Sequence, residues 1–246
     1  TLTSSPLFAT AVLGVTASKG AGTEEQKTEL LGAIAGGEIT TALAVDENAH
    51  HAPAQISMTA VKQGQGYSLN GVKRFVVDGG TADKLIVAAR TSGEAGDIKG
   101  ISLFVVDATA AGIEVERVAA TDGRNYANIS FNQVEVAEAA LLGEEGQGFK
   151  ALSATLDAGN IYLSAEMLGM AQESFERTLQ YLKERKQFGV LIGSFQALQH
   201  RAADWWSQIE LCKSVVLKAL QAMDESHKRV PALASIAKAK LAEVAE

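Results

Sequence analysis

Few side chains in this sequence could do chemistry, and most of them have an ordinary explanation. Glu166 stands among Ala165, Met167 and Leu168, a setting that makes a carboxylate a candidate base. A single acid beside an apolar helical stripe instead points to solvent or pairs with a neighbouring helix, and Glu166 is read so. His50 and His51 would face opposite sides of an extended chain, so their spacing gives no metal pair, and a structural or pocket-filling role is expected. His200, in Gln199-His200-Arg201, reads as a helix-surface or interface group. Cys212 has no second cysteine to pair with, and its spacing from Ile209 and Val216 makes it a small core residue on the apolar face of a long helix. The net charge is −7 with a pI of about 5.2 and no Lys or Arg stripe. That excludes the footprint of nucleic-acid binding and leaves anionic ligands to individual cations.

The elements that must position these groups follow from the hydrophobic period. Thr23-Glu24-Glu25-Gln26 is a capping-box pattern, Leu30, Leu31 and Ile34 share one face, and Gly36-Gly37 is a stop, which predicts a short helix. From Ile39 the period falls to two: Ile56, Met58 and Ala60 alternate with polar neighbours, and Asn70-Gly71 predicts a tight hairpin turn. Strand-like runs follow at Lys84 to Arg90, Ile101 to Val106, Gly112 to Val118 and Ala127 to Val136. After Leu142 the pattern is helical, with Leu198, Trp205, Ile209, Cys212, Val216 and Leu220 at three, four and seven spacings, and Pro231 opens a last helix. The expected class is therefore α+β and multidomain: N-terminal helices over 1–38, a central antiparallel β domain over 39–138 and a C-terminal helical bundle over 139–246. At 246 residues, 47% hydrophobic and 21% charged, the chain reads as a soluble, cytoplasmic protein. The apolar run Leu7 to Val15 is too short to span a bilayer and lacks the basic residues of a signal peptide. Thr1 opens without methionine and Glu246 falls within a helical pattern, so both ends read as cut or processed.

Three stretches together resemble the acyl-CoA dehydrogenase family, in that family's order and spacing. Glu184-Arg185-Lys186-Gln187-Phe188-Gly189 followed by Ile192-Gly193-Ser194-Phe195-Gln196 is close to the signature "ERKQFG…I..FQ". Gly66 to Gly80 is similar to "Y..NG.K.WITNGG", and Leu142 to Phe149 resembles "L.G..G.GF". The resemblance implies a four-helix C-terminal bundle, assembly as a dimer of dimers, an acyl-CoA substrate in fatty acid or lipid metabolism, and an electron-transfer flavoprotein as partner. It also implies FAD as cofactor: a glutamate removes the α proton of an acyl thioester while the β hydrogen leaves as hydride to the flavin, and the protein orients and polarises. By the match, Arg185, Gln187, Phe188, Phe195 and Gln196 fall on positions that contact FAD, in the family that of the neighbouring subunit. Phe75 and Val77 fall on the aromatic and the hydroxyl of "WIT". Asp157 and Asn160 fall on "D..R" near the acyl-CoA.

The departures are as informative. The family's flavin loop reads like "TEPGAGSD", and the matching stretch here is Val45-Asp46-Glu47-Asn48-Ala49-His50-His51-Ala52, without either glycine or either hydroxyl. Val77 cannot replace a hydroxyl donor. Gly159 stands where some members carry the catalytic glutamate, and no residue of this chain is assigned as catalytic or as a metal ligand. Three readings follow: a flavin-dependent acyl-CoA dehydrogenase, a non-catalytic partner subunit of a heteromeric one, or a scaffold of the same fold without redox activity. The intact stretch at Arg185 argues against the last.

Overall fold

The computed structural model describes residues 5–245. The chain divides into two compact units, one up to Leu156 and one from Asp157 on. That division falls inside a helix, whereas the expected boundaries at 38/39 and 138/139 follow changes of secondary structure.

The first unit opens with a wide-turned helical segment, Phe8–Gly14, that continues as α1, Val15–Ala21. Ala9, Leu13 and Ala17 are its buried face, which is what the apolar run at Leu7 to Val15 is for. Helix α2, Glu24–Ala35, starts at the expected capping box: the Thr23 hydroxyl accepts from the Gln26 N–H at 3.2 Å, and the Gln26 side chain accepts from the Thr23 N–H at 3.0 Å. Such a cap is worth about 1 kcal/mol.

Eight strands then build one sheet: β1 Thr41–Ala44, β2 Thr59–Gln63, β3 Gly66–Val77, β4 Lys84–Arg90, β5 Ile101–Asp107, β6 Ile113–Val118, β7 Tyr126–Ala137 and β8 Leu141–Leu142. Their order is β6-β7-β3-β2-β4-β5-β8, with β1 also beside β4. Most pairs are antiparallel, but β1 runs parallel to β4 and β2 touches β4 in parallel at Thr59–Arg90, so the sheet is mixed where antiparallel pairing alone is expected. Strand β4 is buried from Leu85 to Arg90, and a strand covered on both faces reads as a continuous apolar run. Its terminal Arg90 is buried too, and the guanidinium donates to the carbonyls of Ile56, Asp97, Lys99, Ser92 and Ala54 at 2.8 to 3.3 Å.

Asn70-Gly71 is not a hairpin turn. It lies within β3, at a shift of register against β7 between Leu69 and Gly71. Gly71 has φ +150, and a β-carbon there would meet Met58 at 2.7 Å. The Asn70 side chain accepts the N–H of Gln133, itself at φ +50, so the pair makes a bulge. The turn between β2 and β3 falls earlier, at Gly64.

In the second unit three helices are described: α3 Phe149–Glu184, which begins in the first unit, α4 Gln196–Asp224 and α5 Val230–Ala245. Pro231 sits in the first turn of α5, as expected. Cys212, Val216 and Leu241 form one buried cluster and Ile209, Ala171 and Phe175 another, with Phe175 edge-on to Trp205 at 5.3 Å. Three helices of the expected four-helix bundle are thus present among the described residues.

Candidate functional site

Between α3 and α4 the chain makes a small hairpin, β9 Lys186–Gln187 against β10 Val190–Leu191. The signature stretch therefore leaves the helix at Arg185 and carries its ligand candidates on a turn. The tip is Phe188-Gly189, with φ +55 and +81, and Phe188 is 91% exposed. Gly189 suits the left-handed backbone; Phe188 does not, and a bulky residue there is an outlier worth explaining. The base is fixed: the Arg185 N–H donates to Tyr181 and the Ile192 N–H donates to the Arg185 carbonyl, each at 2.9 Å. Phe195 lies edge-on to Phe188 at 6.3 Å, and Gln196 opens α4. Arg185, Gln187 and Gln196 are exposed, and the Arg185 guanidinium takes no partner among the described residues. The structure thus brings Arg185, Gln187, Phe188 and Phe195 together on one projection.

In the first unit the stretch that matches the flavin loop is built differently. Lys73 of β3 is fully buried; its ammonium donates to the Val45 carbonyl at 2.9 Å and to Glu47 at 2.8 Å. Burial brings the Lys73 pKa down to about 8, against the opposing pull of Glu47. The Glu47 carboxylate also accepts the N–H groups of Ser57 and Met58 at 2.8 and 2.9 Å. Asp46 accepts the Ala52 N–H at 3.2 Å, and both its oxygens lie within 3.1 Å of His51 Nδ1. A carboxylate only accepts, so Nδ1 carries the proton. This hydrogen bond raises the His51 pKa above its usual value, while partial burial pushes the other way. His50 and His51 are both exposed; neither fills a pocket. The Arg74 N–H donates to the Asp46 carbonyl at 2.7 Å, which ties the loop to β3 beside Phe75.

Phe75 is half exposed, at φ +50, where β3 slips its register against β7. Val77 follows two residues on, opposite Tyr126. Tyr67 and Glu145, from two of the three resembling stretches, meet: the phenol donates to the carboxylate at 2.8 Å, and burial, with Glu145 added, pushes the Tyr67 pKa up to about 12. In the second unit Asp157 and Asn160 are three residues apart on one face of α3, both half-buried, and burial raises the Asp157 pKa. Glu166 is exposed on α3 and His200 on α4. An open groove of about 850 Å³ along the three helices has an apolar floor that includes Phe175, Leu179 and Trp205. Among the described residues no helix is long and apolar enough to cross a membrane, and no group of three acidic, His or Cys side chains could hold a metal ion.

Sequence reasoning missed the Lys73–Glu47 pair. Part of its signal was available, since Glu47 is an acid where the resembling family has proline.

A sheet unit is followed by long helices, with an exposed Arg-aromatic hairpin between the first two. The pattern of the acyl-CoA dehydrogenase middle domain matches residues 42–134, and that of the acyl-CoA dehydrogenase C-terminal domain matches residues 146–246. The chain belongs to the acyl-CoA dehydrogenase family, whose members are FAD-dependent oxidoreductases. It is 36% identical over 202 residues to an acyl-CoA dehydrogenase of Bacillus subtilis, covering 80% of this chain and 53% of that protein. It is 34% identical over 227 residues to the caffeyl-CoA reductase-Etf complex subunit CarC of Acetobacterium woodii, covering 91% and 59%. The butyryl-CoA dehydrogenase structure from Megasphaera elsdenii superposes with a TM-score of 0.91 at 32% identity, covering 97% of this chain and 63% of that one. The chain thus spans about half to three-fifths of the length of these relatives.

The two regions differ in their fit to FAD. The hairpin fits: an unpartnered guanidinium and an exposed ring suit a phosphate and a flavin face. Loop 45–52 does not. Its carboxylates at Asp46 and Glu47 already hold the N–H groups of Ala52, Ser57 and Met58, and Glu47 is an acid where the resembling family has proline.

Proposed function

We propose that this chain is a subunit of an oligomeric, FAD-dependent acyl-CoA dehydrogenase that acts on an acyl-CoA thioester. Its hairpin at 186–191 would present Arg185, Gln187 and Phe188, backed by Phe195 and Gln196, to a flavin held by another subunit. The observation that carries this is the 91% exposure of Phe188 on a strained tip: such a ring is shielded from water only when something outside this chain covers it. Arg185 beside it would meet the pyrophosphate through two parallel hydrogen bonds. FAD supplies the hydride acceptor when bound. Asp157 and Asn160 on α3 are the residues proposed to face the acyl-CoA, and no residue of this chain is proposed as the base. The Etf-complex membership of the Acetobacterium woodii relative supports an electron-transfer flavoprotein as partner. A tagged full-length protein, purified with its assembly from its own host, tests the reading. Arg185→Ala with Phe188→Ala should weaken flavin retention about tenfold or more, the size expected for losing a charge-assisted contact and a ring contact. Unchanged flavin content and unchanged acyl-CoA turnover would contradict it.

A further inference from the structure

Resting on that reading, we infer that the flavin met by the hairpin belongs to a different chain, because loop 45–52 of this one is closed against an anionic cofactor. Four features of the loop converge. Asp46 and Glu47 are adjacent acids, and each is held by its own set of donors. The N–H of Ala52 within the loop and those of Ser57 and Met58 beyond it already donate to these two side chains. Lys73, the cation nearest to them on β3, is fully buried and directed at Val45 and Glu47, so its charge is neutralised within the fold. Val77 of β3 has no hydroxyl to offer a flavin edge.

The closure is built into the fold. Glu47 bridges Lys73 of β3 and the segment entering β2, so turning its carboxylate away would leave a buried ammonium without its charge partner. Asp46 anchors His51 and Ala52 at the far end of the loop and, through its carbonyl, the N–H of Arg74. An incoming pyrophosphate would have to displace these acids from their donors while sharing space with their charge. Two like charges brought together in this way repel, and the two cationic groups nearest the acids, Lys73 and His51, are already held by Glu47 and Asp46. The partner is thus a homologous chain whose corresponding loop keeps the glycines and hydroxyls that this one lacks.

Titration of the full-length protein, purified alone, with FAD and separately with inorganic pyrophosphate tests this. Protein fluorescence and the flavin absorbance retained after gel filtration are the readouts. The wild type should retain less than about one FAD per ten subunits. The double variant Asp46→Asn with Glu47→Gln keeps the shapes of both side chains and removes both charges; it should bind FAD and pyrophosphate at least about tenfold more tightly, with an affinity that falls as salt is raised. Retention of one FAD per subunit by the wild type would overturn the inference. So would an unchanged affinity in the double variant, whose folding is checked by its unfolding midpoint; should it fail to fold, the wild-type stoichiometry alone decides. If the wild type does hold FAD, Arg185→Ala with Phe188→Ala in the same protein separates the two ideas: loss of that flavin keeps the hairpin's role and discards the different chain, and its full retention discards both.

Discussion

Loop 45–52 and the hairpin at 186–191 both fall on stretches that resemble flavin-contacting segments, yet their polar groups do opposite things. In the loop Asp46, Glu47, His51 and Lys73 take one another or nearby N–H groups. In the hairpin Arg185 has no partner among the described residues and Phe188 is almost fully exposed. One region uses its polar groups to hold the fold, and the other leaves them without partners among the described residues. A sequence match alone assigns both to the cofactor; burial and hydrogen bonding separate them.

The comparison is broken most severely at Lys73. Lys73→Met leaves Glu47 without its cation in a nearly enclosed position, and the expected cost is about 3 kcal/mol of stability. Adding Glu47→Gln should recover part of that, so a double-mutant cycle in urea would show coupling. Additive losses would mean that the buried pair is not the keystone of the loop. By contrast Arg185→Ala and Phe188→Ala should change the unfolding free energy by less than about 0.5 kcal/mol each, since exposed groups away from packing contribute little.

A smaller effect comes with pH. The folded pKa of Lys73 is about 8 against 10.5 for a free lysine, so the unfolded chain binds more protons between those values and stability from this group should rise with pH there. His51 has the opposite sign. Its pKa is raised above 6.5 in the fold, so the Asp46 pair contributes fully below pH 6.5 and is lost as pH climbs through the folded value. The ring is more than half exposed, so screening keeps that contribution below about 1 kcal/mol. Denaturant midpoints followed from about pH 6 to 8 should fall slightly in the wild type and stay flatter in His51→Gln; equal slopes would remove His51 from the network.

Much of the fold was legible because single-residue rules acted locally. The Thr23 cap, the strands at Lys84, Ile101 and Ala127 and the helix at Pro231 each needed only a neighbouring pattern. Asn70-Gly71 misled because the same dipeptide serves a turn or a bulge, and the choice depends on Gln133 and Met58, more than ten residues away in opposite directions. The parallel pairing of β1 with β4 was hidden for the same reason, since no local signal reports strand order. The hairpin stretch stands out in the sequence by its motif, whereas the loop's self-satisfied state does not. Loss of glycines and hydroxyls showed what was missing from 45–52, but only the three-dimensional pairing of Glu47 with Lys73 shows what replaced it.

Amide hydrogen exchange of the full-length protein, with and without FAD, compares the two regions in one experiment. The amides of Ala52, Ser57 and Met58 should exchange slowly in the lone chain, because each donates to a carboxylate, and FAD should leave their rates unchanged. The hairpin amides around Phe188 and Gly189 should exchange fast in the lone chain and slow down only in the flavin-bearing assembly purified from the host. Slowing of the loop amides when FAD is added to the lone chain, with the hairpin unaffected in the assembly, would contradict the assignment of the two regions.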